Sequence, residues 1–240
     1  MFRKRFIVTC KTALRAVLVG VLFALGLASP ARAAEPQYAV RIDAPEALRT
    51  LLENNLRVVR RVKEGVDQRR FERLTDRAER EIRELLATEG YFSPRVSLSI
   101  ERTPQRWTAH YAVAPGDPSR VTGVEIEFRG TIAEDRWDNA ARRAAMRKSW
   151  RLPEGRRFRQ LRWDGGKTRL LSALVDERYP LAKIAESEAR VDPAAHSVKL
   201  RVVVDSGPSV TFGAMRVSGL ERYPESIVRD LNRIAPGTPY

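Results

Sequence analysis

Histidine and cysteine are nearly missing from this chain, and together they remove most ways of building a metal or nucleophile site. There are two histidines, His110 and His196, and one cysteine, Cys10. No disulfide can form within a chain holding a single thiol, no zinc-ligand spacing occurs, and neither histidine has a motif of acids around it. A long apolar run is also missing: the longest, Ala16–Ala28, falls short of the ~20 residues that a helix needs to span a bilayer. Nucleophile elbows and dinucleotide fingerprints do not occur. The stretch Asp164-Gly-Gly-Lys-Thr168 imitates a phosphate loop, but the first glycine of that motif would fall at Leu161 and no strand precedes it. No cofactor is implied, and the residues do not read as those of an enzyme.

The N-terminus has the layout of an export signal. Arg3, Lys4 and Arg5 precede the short apolar run, which leads into Ala31-Arg32-Ala33. Cleavage after Ala33 is expected, making residues 1–33 a signal peptide. The formal charge of +14 then falls to +8, because six basic residues and no acid leave with the signal. Export argues against a nucleic-acid partner, and the aromatics Trp107, Tyr111, Phe128 and Trp137 fall in apolar stripes rather than among the arginines. A candidate basic surface remains at Arg57, Arg60, Arg61, Arg69 and Arg70, suited to an anionic lipid or polyanion.

What the chain does contain is a repeat. Val62-x-x-Gly65 recurs as Leu152-x-x-Gly155 and Ile234-x-x-Gly237; the corner Gly90-Tyr91 recurs at Arg178-Tyr179; and a Gly-Pro turn leading to a strand and a glycine ends at Gly130 and again at Gly219. First and second copies are separated by 90, 88 and 89 residues. A shared period of about 90 residues marks tandem units.

Each unit reads as strand, helix, helix, strand, strand. In the first, a strand at Ala39–Ile42 precedes one helix with a stripe from Leu48 to Val62, with Asp43 and Glu46 at capping-box spacing. Asp67 caps a second helix striped by Phe71, Leu74, Ala78, Ile82, Leu85 and Leu86, and Gly90 ends it in the left-handed conformation. A hairpin follows, with Val96, Leu98 and Ile100 on one arm and Trp107, Ala109, Tyr111 and Val113 on the other. The second unit repeats the plan, with a first strand at Val121–Phe128, a helix about Asp135–Trp150, and a hairpin of Leu181–Val191 and Ser197–Asp205. Gly166 aligns with Ala78, where a small residue lets a helix lie close to the sheet; alternatively, Asp164 caps the helix start. Trp163, among charged residues, is a candidate for exposure.

The continuously apolar last strand of each unit, such as Lys199–Asp205, belongs in the middle of its sheet. The preceding strand is then an edge, with unpaired backbone groups able to accept another strand. Candidate binding residues are Val96, Ser97, Leu98, Ser99 and Ile100 in the first unit, and Ala185, Glu186, Ser187 and Glu188 in the second. Both histidines are expected on the third strands of their units. A third copy begins at Val210–Ser218 as a strand, with Ile227, Val228, Leu231 and Ile234 as a helical stripe, and is expected to be truncated.

This order of phrases resembles the polypeptide-transport-associated (POTRA) domains of outer-membrane assembly and secretion proteins, and within them the TamA subfamily. The residues that carry the resemblance are Gly65, Gly90, Tyr91, Gly155, Tyr179 and Gly237. It implies an α+β fold of tandem POTRA domains at 37–116, 119–206 and 208–240, each a three-stranded mixed sheet covered by two helices. It also implies a periplasmic arm of a cell outer membrane protein whose C-terminal barrel is missing here. The implied partners are unfolded outer-membrane or autotransporter clients, bound by β-strand addition, and an inner-membrane-anchored TamB-type protein. The alternative is a secreted module binding anionic surfaces.

Overall fold

The computed structural model describes residues 36–176 and 178–240; the expected export signal, with Cys10, lies outside the described residues. The first unit runs β1 (Gln37–Asp43), α1 (Glu46–Asn55), α2 (Arg57–Glu64), α3 (Gln68–Thr88), β2 (Arg95–Arg102) and β3 (Arg106–Ala114). The second runs β4 (Arg120–Arg129), a short 3-10 turn (Thr131–Ala133), α4 (Trp137–Lys148), α5 (Gln160–Val175), β5 (Lys183–Asp192) and β6 (Ser197–Asp205), and a last helix, α6, covers Glu225–Leu231. The sheets have the orders β1-β3-β2 and β4-β6-β5. In each, the first strand is parallel and the preceding hairpin arm antiparallel to the last strand. The last strand is therefore central and the arm before it an edge, as its polarity predicts.

Period-two alternation places one sheet face against the helices. In the first unit Ile42, Ala109, Tyr111 and Val113 meet Leu48, Leu52, Leu56, Val58, Phe71, Ala78, Ile82 and Leu86 in one core. A second core gathers Ile126, Phe128, Val198, Leu200, Val202 and Val204 beneath Met146, Trp150, Trp163, Leu170 and Leu174. No helix among the described residues is long and apolar enough to cross a membrane.

Several local expectations are corrected. The single helix expected over Leu48–Val62 is two, because Leu56 is extended (φ −66°, ψ 129°) between them. Leu56 is itself fully buried, and the break advances the buried face by one residue, so that Val58 enters the core and Val59 only borders it. Glu81 of α3 secures the new helix start, accepting from the Arg57 N–H (3.2 Å) and pairing with its guanidinium at 2.6 Å. Asp43 is no cap: it lies in β1 opposite Ala112, and α1 opens after Pro45, whose carbonyl takes the Leu48 and Arg49 N–H groups. Asp67 does cap α3, accepting from the Arg70 N–H at 2.7 Å.

Helix α5 continues unbroken through Gly165 and Gly166, so Asp164 is not its start; its carboxylate instead meets Gln160 and Lys167. Gly166 faces the Trp150 ring rather than the sheet, and Trp163 is buried edge-on against that ring, not exposed. Trp137, placed in a stripe by its spacing, is 87% exposed at the first turn of α4. His110 lies on β3, but His196 sits in the β5–β6 turn with φ 47°.

Around the third copy only its first contacts form. Val210–Ser218 is not a strand; Thr211 makes one isolated bridge to Pro239. A strand needs a ladder partner, and among the described residues none lies beside 213–218. Ile227, Leu231 and Ile234 are exposed, and Ile234 lies beyond α6.

The two helix glycines give opposite expectations. A Cβ on Gly166 would stand 2.8 Å from the Trp150 ring, whereas one on Gly165 meets nothing within 4 Å. Gly166→Ala is expected to destabilise by about 1–3 kcal/mol through overpacking. Gly165→Ala is expected to stabilise by about 0.5–1 kcal/mol through helix propensity. Urea unfolding of the two variants checks the sign of each.

Candidate functional site: strand edges and the joint between units

The hairpin turn decides which backbone groups of β2 are free. Thr103 N–H donates to Arg106 O at 2.9 Å, so Thr103 faces β3, and alternation turns Ser97, Ser99 and Glu101 the same way. Gln37 N–H donates to Gln105 O, which sets the same parity from the β1 side. The backbone groups of Val96, Leu98, Ile100 and Arg102 therefore point away from the sheet. The side chains of Val96, Leu98 and Ile100 pack on the core, while those of Ser97, Ser99 and Arg102 are exposed. The serines give the edge its polarity, yet the free N–H and C=O groups belong to the apolar residues between them. Upstream, the Pro94 carbonyl is taken by Arg83 at 2.6 Å, which closes the edge at that point.

The β5 edge is different. Its register shifts between Ile184 and Glu186, leaving Ala185 as a bulge. Glu186 is held by Arg201 (2.6 Å) and Arg129 (3.0 Å), and both arginines also hold Glu127, at 2.7 and 2.8 Å. This lattice crosses β4, β6 and β5 on the open face, over fully buried Val203. Hydrogen bonds from Arg201 and then Arg129 hold the Glu186 carboxyl below its ordinary value. Glu188 pairs with Arg190 at 2.7 Å, and Ser187 lies between the two glutamates. A bulge and fixed charges are devices that discourage strand addition. Regularity thus favours β2 over β5.

The repeated phrases turn out to build the joint. Leu152-x-x-Gly155 brings the following chain alongside the start of β4: Val121 exchanges bonds with Gly155 and Arg156, and Phe158 N–H donates to Ser119 O at 2.9 Å. Ser119 N–H in turn donates to Gly90 O at 2.8 Å, across the joint. Gly90 has φ +86°, and a Cβ there would overlap the Phe158 carbonyl oxygen. Phe92 packs against Phe158 with ring centroids 5.7 Å apart, placing a residue of the first corner on the second unit's core. Arg157 lies over the Tyr91 ring at 4.4 Å and donates to Glu89 O at 2.8 Å, while Arg159 meets the Glu89 carboxylate at 3.1 Å. The Ser119 hydroxyl is buried here without a hydrogen-bond partner among the described residues.

The same backbone pattern opens the third copy. Val210 N–H donates to Arg178 O, Tyr240 N–H to Val210 O, and Gly237 N–H to Phe212 O. Helix ends match too: Tyr91 N–H reaches Leu86 O, and Tyr179 N–H reaches Leu174 O, both six-to-one bonds. The Tyr179 hydroxyl is buried and donates to Asn139 Oδ1 at 3.2 Å. Gly65 also has positive φ, but nothing lies within 4 Å of where its Cβ would stand.

Of the candidate basic surface, Arg57 and Arg61 are paired, with Glu81 and Glu64. Arg60, Arg69 and Arg70 are exposed and form no ion pair among the described residues. Tyr111 is a core phenol donating to Thr75 O at 3.3 Å; burial first, then Asp76, raises its pKa.

The fold class is α+β, two three-stranded mixed sheets each covered by helices on one face. Residues 40–115 match the family profile described as POTRA domain TamA domain 1. Solved structures with a similar course include POTRA domains 3–5 of BamA from Haemophilus influenzae, 16% identical at TM-score 0.42, covering 86% of this chain and 80% of that one. POTRA domains 1–3 of Omp85 from Anabaena are 17% identical at TM-score 0.36, covering 85% and 78%. The N-terminal domain of Omp85 from Thermosynechococcus elongatus is 13% identical at TM-score 0.34, covering 86% and 79%. No curated protein matches the chain.

Gly90→Ala is expected to cost about 2 kcal/mol or more, from left-handed strain and collision with Phe158. It should also remove the Phe92–Phe158 ring contact, which proton NMR would read as loss of cross-ring proximity. Gly65→Ala should keep that contact. For Glu186, the contribution of the ion lattice is complete above the ordinary carboxylate range and is lost as pH falls through the depressed value. Its carboxyl titration should have a midpoint below that of an ordinary glutamate, rising in Arg201→Ala.

Proposed function

We propose that this chain is the periplasmic arm of an outer-membrane protein assembly or autotransporter secretion factor of the TamA type, divided into units at 37–116, 119–206 and 208–240. It takes up extended client segments by strand addition at β2. The observation that carries this reading is the uninterrupted register from Arg95 to Arg102, whose outer side meets no strand among the described residues. Backbone hydrogen bonds are indifferent to side chain, which suits a receptor for many unfolded clients. An inner-membrane-anchored TamB-type partner would compete for, or share, the same kind of edge.

The parity of β2 selects the test. Proline at Ser97 or Ser99 would break the ladder to β3. Proline at Val96 removes an N–H that faces outward and sits at the strand start, where proline is tolerated. Val96→Pro is expected to weaken binding of an unfolded barrel-protein segment about ten-fold, with Val96→Ala as the packing control. Equal binding by a folded Val96→Pro protein would overturn the reading. The exposed, unpaired Arg60, Arg69 and Arg70 favour anionic-surface binding as a second reading; salt-sensitive binding to anionic vesicles, with no affinity for unfolded clients, would replace the first.

A further inference from the structure

The outer side of β4 holds a second opening, distinct from the β2 edge. Val121 is already paired with Gly155 and Arg156, but this added strand leaves the edge at Pro153, which has no N–H to continue it. At the other end the Ile126 carbonyl accepts from Arg147 at 3.2 Å, so Ile126 faces outward. Alternation turns the N–H and C=O of Val124 to the same side, across the irregularity between Val121 and Gly123. Among the described residues, Val124 is thus left open between Val121, whose N–H and C=O are both taken, and Ile126, whose carbonyl is taken.

Beside it lies a cavity of about 460 Å³, lined by Val124, Ile126, Trp150, Pro153, Arg147, Lys148 and Glu154. Its floor is apolar: Ile126 and Trp150 each retain 8% exposure, with the Trp150 indole N–H committed to Leu152 O. Its rim carries two cations and one carboxylate. Arg147 uses one nitrogen on Ile126 O and stacks on Phe128 at 5.0 Å, which fixes its guanidinium and leaves other N–H groups available.

A strand passing through would collide with the Pro153 turn on one side and Arg147 on the other. The opening accommodates a chain that stops there, and the net positive rim favours a stop bearing negative charge. We propose that this pocket captures the C-terminal residue of an extended peptide. The residue pairs with the Val124 backbone, puts an apolar side chain onto Trp150 and Pro153, and sets its free carboxylate against Arg147 and Lys148. Glu154 opposes the carboxylate and selects for its approach from the Arg147 side.

The probe is a fluorescein-labelled hexapeptide of threonine and serine ending in leucine, titrated by anisotropy against the 36–240 region within the full chain. The same peptide is used with its C-terminus amidated and with the terminal leucine replaced by serine. Loss of one charge-assisted contact is expected to weaken binding about ten-fold on amidation, and Lys148→Glu to do the same for the free acid only. Leucine-to-serine replacement should weaken it through lost burial. Val124→Pro, which removes an N–H outside the ladder, should reduce binding of the free acid while circular dichroism shows the fold intact. Equal affinity for acid and amide, no binding of either, or unchanged binding by folded Val124→Pro and Lys148→Glu proteins would each overturn the proposal. Val96→Pro should leave this binding unchanged, which separates the pocket from the β2 edge.

Discussion

The turn at Gly90 is the constraint on which the rest of the molecule depends. By returning the Tyr91 N–H to Leu86 O it ends α3 and launches β2 at the correct height on the sheet. Its left-handed backbone also leaves no room for a Cβ against the Phe158 carbonyl, so the second unit can approach to van der Waals contact. One residue therefore satisfies a helix end, sets a strand register and admits a neighbouring domain. Because Gly90 O receives the Ser119 N–H, the last bond of the first unit is the first of the second.

That economy explains why the phrases repeat in a fixed order. Leu152-x-x-Gly155 buries its leucine and turns the chain so that Gly155–Phe158 lies along the start of β4. The added strand protects an edge that would otherwise expose unpaired groups. β5 is defended instead by a bulge and by the Arg129–Glu127–Arg201–Glu186 lattice. Among the edges of these two sheets, a regular, undefended run remains on β2, and β1 offers its parallel flank. Availability for strand addition thus follows from where the other edges are closed.

The architecture was legible in the sequence because period and polarity act through burial. The central position of β3 and β6, the hairpins and the Asp67 cap all follow from alternation, helical spacing and local chemistry. What failed were positions decided by tertiary contact. Leu56 breaks a helix that periodicity would continue, since the core gains Val58 by the break and Glu81 waits to bind Arg57. Trp163 is buried despite charged neighbours because Trp150 meets it from another helix, and Trp137 is exposed because α4 begins where no other element covers it. The edge site was legible as an edge, but not in its parity. Ser97 and Ser99 drew attention as polar residues, yet the Thr103–Arg106 bond at the hairpin end gives the outward backbone groups to Val96, Leu98 and Ile100.

The two joints share their backbone bonds but not their charges. Arg178 stands where the first corner has Gly90, and Pro239 stands at the bridge position held by Arg157. In the first joint Arg157 binds the Glu89 carbonyl and covers Tyr91, and Phe92 sits on the second core. A proline has no side-chain donor to do the same, and Arg178 is drawn instead to Asp138 of its own unit at 3.1 Å. Phe212 stacked on Tyr240 supplies an apolar contact in compensation. The common part of the design is therefore the hydrogen-bonded corner, which fixes the direction in which each unit leaves its predecessor. The cation and aromatic layer is an addition specific to the first joint, and it ties β2, the open edge, to the unit that follows.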